Sequence, residues 1–461
     1  MSIPKIIHQI WIGPHPMPTN FMNTWKNKNP DYEYICWTEE KIKELNFTFR
    51  CQKIIDIVEL YHGKADIMRL EILYKYGGIY LDADSICIEP LNDTFLKNKA
   101  FATYENENKR GDLVANGNIG FIPNYTLCND AINYILDEEN LTFILSNPPW
   151  KVLGPGLLTS LLKTDKYKDF VVYPSYTFLP SHFTGEKYEG HKKVYAYQEW
   201  GSTRQHYDRM NEIQLPNEYL SPNEWVSILI SSYNTKHIYV VECLESIKNQ
   251  NGHFGIELVW INDGSNELNS KLLNLELNKF TRETRFTTVK YITMDKNRGI
   301  SYCLKKGVEE CSNEIIIKMD SDDIMFPDRI KTQLIFMREN SDCMMVGSNI
   351  QMFKTKDNTK EKDLLQITSH KNKITWNDYK QSKSHWIMNH PSLCYKKSAV
   401  LSVGNYNINM GSMSEDLELE LRILKKYDVL YNIEEPLLNY RIHKDQTTYK
   451  GNSLKENHNT I

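Results

Sequence analysis

Gly77-Gly78-Ile79-Tyr80-Leu81-Asp82-Ala83-Asp84 constrains this chain more than any other stretch. Two glycines release the chain from a helix, Ile79 to Leu81 form a short buried strand, and two carboxylates follow with one alanine between them. On an extended backbone, residues two apart point to the same face, so Asp82 and Asp84 are expected to converge on one hard cation. The carboxyl end of a strand is also where an α/β sheet places its ligand. The device returns as Glu314-Ile315-Ile316-Ile317-Lys318-Met319-Asp320-Ser321-Asp322-Asp323. With 461 residues the chain is too long for one ordinary core, so the two acid sites imply two domains.

Composition narrows the class of partner. The chain is 41% hydrophobic and 25% charged with a net charge of −4, and it has no basic stripe, which argues against nucleic acid or an anionic membrane as the main partner. An aromatic share of 11%, with 28 tyrosines, suits stacking on bases and sugar rings and suits a tyrosine-rich core equally well. The nine cysteines form no C-x-x-C pair, so free thiols in a reducing compartment are expected. No run is long and apolar enough to span a bilayer, and the first residues lack a secretory apolar region. A cytoplasmic enzyme without a transmembrane segment is the expectation.

In chain order, Lys5 to Gly13 reads as a buried first strand and Tyr34 to Trp37 as a second. Tyr61 to Tyr76 reads as a helix with Ala65, Met68, Ile72 and Tyr76 as its apolar stripe. Asp66 and Arg69 lie three apart on a neighbouring face, where they pair either as a plain surface couple or as part of a site. Gly77 supplies the left-handed residue that ends the helix. His206 to Glu224 is polar and carries Pro216 and Pro222, which places a linker at 211–224 between domains at 1–210 and 225–450. Strands and helices then alternate: Val226–Ile230, a helix from Tyr239 to Gln250, Glu257–Ile261, Val289–Ile292, a helix from Ser301 to Cys311, and Glu314–Met319. The three consecutive isoleucines of the last strand fit a parallel strand covered on both faces. Pro327 is expected in the first turn of the next helix. Leu417, Leu419, Leu421 and Leu424 follow Glu415 and Asp416, so these acids are expected to open a helix, where negative charge is favoured. The tail at 451–461 is polar.

Two resemblances rest on these blocks. Pro4 to Gly13, Ala65-Asp66-Ile67-Met68-Arg69, Tyr74 to Asp84, Asn116 to Phe121, Gly154-Pro155-Gly156 and Val171 to Pro174 resemble the family-32 glycosyltransferases, sugar transferases with a DXD motif, over roughly residues 3 to 205. One block departs from the pattern: Gln198 stands at the family's usual histidine and Thr203 where its last tryptophan is expected. Val226 to Asn234, Asn262-Asp263-Gly264-Ser265, Asn297-Arg298-Gly299, Asp320 to Asp323, Ser414-Glu415-Asp416 and Tyr440-Arg441-Ile442-His443 resemble the family-2 glycosyltransferases, from about Val226 to Gln446.

The resemblances imply two GT-A domains in tandem, Rossmann-like α/β folds that use nucleotide sugars, the first retaining and the second inverting. They imply donor contacts from Asp66, Arg69, Tyr80, Asp82 and Asn118 in the first half, and from Ser231, Asp263, Arg298, Asp320, Arg441 and His443 in the second. Metal ligands would be Asp82 and Asp84, then Asp322 and Asp323, with one divalent ion per domain, manganese or magnesium. Breaking the donor's glycosidic bond builds negative charge on a diphosphate, and a divalent cation stabilises it. An inverting step also needs a base for the attacking hydroxyl; Asp416 is the choice and Glu415 its rival. The donors would be UDP-, GDP- or dTDP-sugars and the acceptor a glycan, glycoprotein or glycolipid. Two alternatives stay open: one working domain, the C-terminal one, beside a degenerate partner, or a sugar- or nucleotide-binding protein without turnover.

Overall fold

A computed structural model describes residues 2–355, 362–382, 384, 386–409, 415–444 and 446. Ser414 of the acid block and the polar tail at 451–461 lie outside the described residues. The chain divides into two compact α/β units, Met1–Tyr188 with Lys193–Leu220, and Glu189–Lys192 with Ser221–Ile461. No shift in composition marks the short Glu189–Lys192 piece as part of the second unit.

The first unit is built on a six-stranded sheet in the order Glu33–Trp37, Ile6–Ile10, Gly78–Leu81, Val114–Phe121, Ala100–Tyr104, Phe170–Tyr173. The first three strands run parallel, and Val114–Phe121 runs antiparallel to both of its neighbours. The strand at Ile6–Ile10 has its successor on one side and Gly78–Leu81 on the other. The chain therefore reverses direction of winding between His8 and Tyr80, which pair across the gap. Such a switch point opens a crevice at the carboxyl ends of the strands, and Asp82 stands at its lip.

Side chains of Gly78–Leu81 alternate as a pleat requires. Ile79 and Leu81 enter one buried cluster with Ile7, Trp25 and Phe101, while Tyr80 enters the other with Ile67, Ile72 and Ile119. The helix before this strand spans Tyr61–Tyr76, as the periodicity predicts. Its apolar stripe is wider than predicted, because every residue from Asp66 to Leu73 is buried. Gly77 and Gly78 both take positive φ, +65° and +99°. The ψ of Gly77 is −159°, so the helix ends in a glycine-only extended conformation and not in the left-handed one expected.

The second unit has four parallel strands in the order Thr287–Thr293, Gly255–Asn262, Trp225–Ser232, Ile315–Asp320, linked by helices His237–Lys248, Glu267–Glu283 and Ile300–Glu310. Here the switch point lies between Trp225–Ser232 and Ile315–Asp320, and the register sets Asp320 directly opposite Ser231. The isoleucine run is buried from both sides: Ile317 joins one cluster and Ile316 the other. It is parallel to one neighbour and antiparallel to Cys394–Lys396. Pro327 falls in the turn before the next helix, which begins at Arg329 with Asp328 as its cap, and not in the helix's first turn.

Candidate active sites

At the switch points, one strand stops at Leu81, just before the first acid, the other at Asp320, and a turn sets the rest. Ser85 N donates to Asp82 O at 3.2 Å, and Asp323 N donates to Asp320 O at 3.4 Å. The sequence pattern predicted one extended face for Asp82 and Asp84. The turn replaces that extended face, and within each pair the acids take different hydrogen-bond partners while their charges stay close.

In the first unit Asp82 faces a buried cation. Arg69 lies 3.2 Å from Asp82 Oδ1 and 3.3 Å from Asp66 Oδ1, donates Nη1 to Asn116 O at 2.7 Å, and stacks 4.2 Å over the Tyr80 ring. Tyr80 Oη donates to Asp82 Oδ1 at 3.1 Å. Asp66 accepts from Asn116 Nδ2 at 2.7 Å, and burial pushes its carboxyl up to about 6 despite Arg69. Asp66 and Arg69 are therefore not a surface pair; both are buried beneath Asp82. Tyr80 is a platform for Arg69. Asn118 is buried within the sheet and accepts from Thr103 Oγ1 at 2.5 Å. Gln9, which the sequence did not single out, donates to Asp82 O at 3.1 Å and holds the turn from below.

Asp84 is held by a different set of partners. Gln198 Nε2 donates to Oδ1 at 2.5 Å and Gly201 N to Oδ2 at 2.8 Å. The segment carrying them reaches Asp84 because Ala196–Gln198 pairs with Ser85–Cys87. Burial, then the neighbouring Asp82 charge, pushes Asp84 up to about 7 against those two hydrogen bonds. Gln198, standing where a histidine was expected, thus keeps a contact with the second acid. His8 Nδ1 accepts from Trp37 Nε1–H at 3.1 Å, which leaves Nε2 to donate to Gly77 O at 2.9 Å. It is a satisfied core histidine that fixes the strand entry.

In the second unit Asp320 Oδ1 lies 2.5 Å from Lys318 Nζ, and that lysine is buried. A single lysine in an otherwise apolar strand is the signal by which sequence reasoning had the means to find it. Asp322 Oδ2 pairs with His443 Nε2 at 2.8 Å. Asp323 Oδ1 accepts from Arg441 N at 2.9 Å, while its buried Oδ2 has no hydrogen-bond partner among the described residues. Burial and the charges of Asp322 and Asp320 hold the Asp323 carboxyl well above its usual range.

Arg441, expected on the donor, points into the unit. It donates Nε to Asp322 O at 2.7 Å, reaches Thr355 and Glu242 at 2.5 Å each, and lies between the rings of Tyr239 and Phe353. Asp263 likewise serves its own chain: its two oxygens accept from Arg298 N at 2.7 Å and Gly299 N at 2.9 Å, which anchors the Asn297–Gly299 loop. The Arg298 side chain turns outward to Asp295. Helix Glu415–Tyr427 opens with the acids, as expected. Glu415 is buried, whereas Asp416 is partly exposed and accepts its neighbour's amide, Leu417 N, at 2.7 Å.

The donor set at Asp320–Asp323 fits a hard divalent cation. It offers clustered carboxylate oxygens, one of them buried and unpartnered among the described residues, and such ions are held by one or two carboxylates completed by substrate phosphates. Among the described residues no three His, Cys, Asp or Glu side chains form a cage. At Asp82–Asp84 the carboxylates are present, but both Asp84 oxygens already accept hydrogen bonds.

Residues 227–400 match the family model described as "Glycosyl transferase family 2", and residues 18–102 match "Glycosyltransferase sugar-binding region containing DXD motif". The chain is 28% identical to an Escherichia coli UDP-Gal:alpha-D-GlcNAc-diphosphoundecaprenol beta-1,3-galactosyltransferase, over 49% of this chain and 77% of that protein. It is 41% identical to Schizosaccharomyces pombe inositol phosphoceramide mannosyltransferase 3 over 98 residues, which is 20% of this chain and 27% of that one. A solved structure, S. aureus TarS 1-349, aligns with a TM-score of 0.36 at 14% identity, covering 47% of this chain and 60% of that one. No helix among the described residues is long and apolar enough to cross a membrane.

Proposed function

We propose that this chain, a nucleotide-sugar-dependent glycosyltransferase, has a donor site in each half and transfers sugars to a glycan acceptor from both. The observation that carries the reading is the shared acid turn, closed by the same hydrogen bond at the switch point of each sheet. We assign the first activity to residues 1–210 and the second to 225–450, on the cytoplasmic side, where nine free thiols persist. The E. coli relative's name specifies UDP-Gal as donor and alpha-D-GlcNAc-diphosphoundecaprenol as acceptor. A UDP-, GDP- or dTDP-sugar and a glycan or glycolipid acceptor are the corresponding assignment here.

A divalent ion held by Asp322 and Asp323, and another held by Asp82 and Asp84, would neutralise the departing diphosphate. The chain's own groups do the rest. Asp320, held by Lys318, and Asp82, held by Arg69 and Tyr80, orient the donor beside the acid turn. Asp416 takes the proton of the attacking hydroxyl in the second half, which makes that step inverting. It is chosen over Glu415 because Asp416 remains partly exposed. The first half is assigned a retaining reaction, which needs no such base. A second reading, with turnover in the C-terminal half alone, rests on Asp84, whose oxygens are both engaged by Gln198 and Gly201.

Donor hydrolysis with manganese, scanned over UDP-, GDP- and dTDP-sugars, tests the proposal. It is run on the whole chain and on Asp84→Asn and Asp322→Asn. Loss of a different donor activity in each variant supports two sites. Loss only in Asp322→Asn supports the second reading.

A further inference from the structure

Beyond the acid turn, the first unit has an open cavity of about 430 Å³ bordered by Arg110, Asp112, Trp150, Thr159, Ser160 and Lys163. That volume suits a small ligand. Trp150 stands on the short helix Pro149–Val152 and is 45% exposed, an aromatic surface presented to a polar hollow. The Arg110 guanidinium lies 5.0 Å from its ring centre. The charges around the hollow are paired within the chain: Lys109 with Glu186 at 3.4 Å, Arg110 with Glu105 at 3.1 Å, and Lys163 with Asp112 at 3.0 Å. A free anion therefore finds no uncompensated cation there. A neutral polyol does find partners, because its hydroxyls both accept from cations and donate to carboxylates while its apolar C–H face lies on an indole.

The hollow is joined to the donor site through bonded neighbours. Thr159, on helix Pro155–Leu162, accepts from Val114 N at 2.9 Å. Two residues along that strand, roughly 7 Å, Asn116 donates to Asp66 Oδ1. Gly154, two residues beyond the Trp150 helix, leaves space for the same carboxylate: a Cβ there would lie 2.7 Å from Asp66 Oδ2.

We propose that this cavity is the acceptor subsite of the first half and that it holds a neutral pyranose of the acceptor glycan, stacked on Trp150 and bonded through its hydroxyls to Arg110 and Asp112. The inference rests on the transferase reading above and names the substrate class of that site.

Saturation-transfer NMR of the full chain with methyl α-glucoside, methyl α-galactoside, methyl α-mannoside and lactose tests it, with inorganic phosphate as the competing probe. At least one sugar binds the unaltered chain. Trp150→Ala weakens that binding about tenfold, Trp150→Phe retains most of it, and Ser160→Trp removes it by filling the hollow. Phe143→Ala, an exposed aromatic outside the cavity, leaves it unchanged. The inference falls if no sugar binds, if Trp150→Ala and Ser160→Trp bind as well as the unaltered chain, or if phosphate displaces the sugar. Donor hydrolysis by the unaltered chain is read separately. Hydrolysis without sugar binding overturns this subsite and leaves the transferase reading standing. Sugar binding at Trp150 without hydrolysis dependent on Asp84 supports the sugar site and overturns the reading of the first half.

Discussion

Arg69 shows how much one buried charge decides. It is 4% exposed, touches Asp66, Asp82 and the Asn116 carbonyl, and lies on the Tyr80 ring. A lysine keeps the charge but has neither the planar fork nor the stacking face. Arg69→Lys is expected to lower stability by about 2 kcal/mol, read from urea denaturation, and to abolish the donor hydrolysis that depends on Asp84. His8 makes a second prediction at this scale. Burial pulls its pKa from 6.5 to about 4, and the Trp37 N–H it accepts leaves no place for a second ring proton. The unfolded chain takes up that proton as the pH falls through 6.5, while the folded chain resists until about 4. The stabilisation is therefore complete above neutrality and is lost on acidification across that window. Between pH 7.5 and 4.5 the stability gap between the unaltered chain and His8→Gln should close by about 2.5 kcal/mol. A constant gap in denaturation at the two pH values would refute the neutral tautomer.

The two proposed donor sites are built on the acid turns, and each turn is wedged by a neighbour. Gly117, on the strand beside Gly78–Leu81, has no side chain, and a Cβ there would lie 2.1 Å from Asp82 Oδ2. Gly117→Ala must push Asp82 off Arg69. Hydrolysis at the first site should fall by two orders of magnitude or so, with the activity removed by Asp322→Asn untouched, as steady-state assays on the two donors would read. In the second half the wedge is Arg441, which ties the last strand to Asp322 and Asp323. Arg441→Met retains the packing between Tyr239 and Phe353 but leaves Glu242 without its partner. A loss of about 3 kcal/mol is expected in thermal or urea unfolding. A loss below about 0.5 kcal/mol would show the clamp to be dispensable.

For the molecule as a whole, metal removal is the broadest test: EDTA should silence both donor activities and manganese restore them, whereas persistence of one would assign metal-free chemistry to that half. Local pattern alone was sufficient for the helix at Tyr61–Tyr76, the isoleucine strand and the acid-headed helix at Glu415, because periodicity and caps act over a few residues. The same pattern does not say which groups hold each acid. Alternation predicts which face a residue takes only while the strand lasts, and the strands end at Leu81 and Asp320. Which way each carboxylate points was left to distant partners: Arg69 on a helix, Gln198 on a strand more than a hundred positions away, His443 and Arg441 near the end of the second unit. Hydrogen bonds between such separated residues form only when the sheet brings the chain back. The switch points and the inward turn of Arg441 therefore belong to the tertiary fold, while the existence of two acid sites was written in the chain.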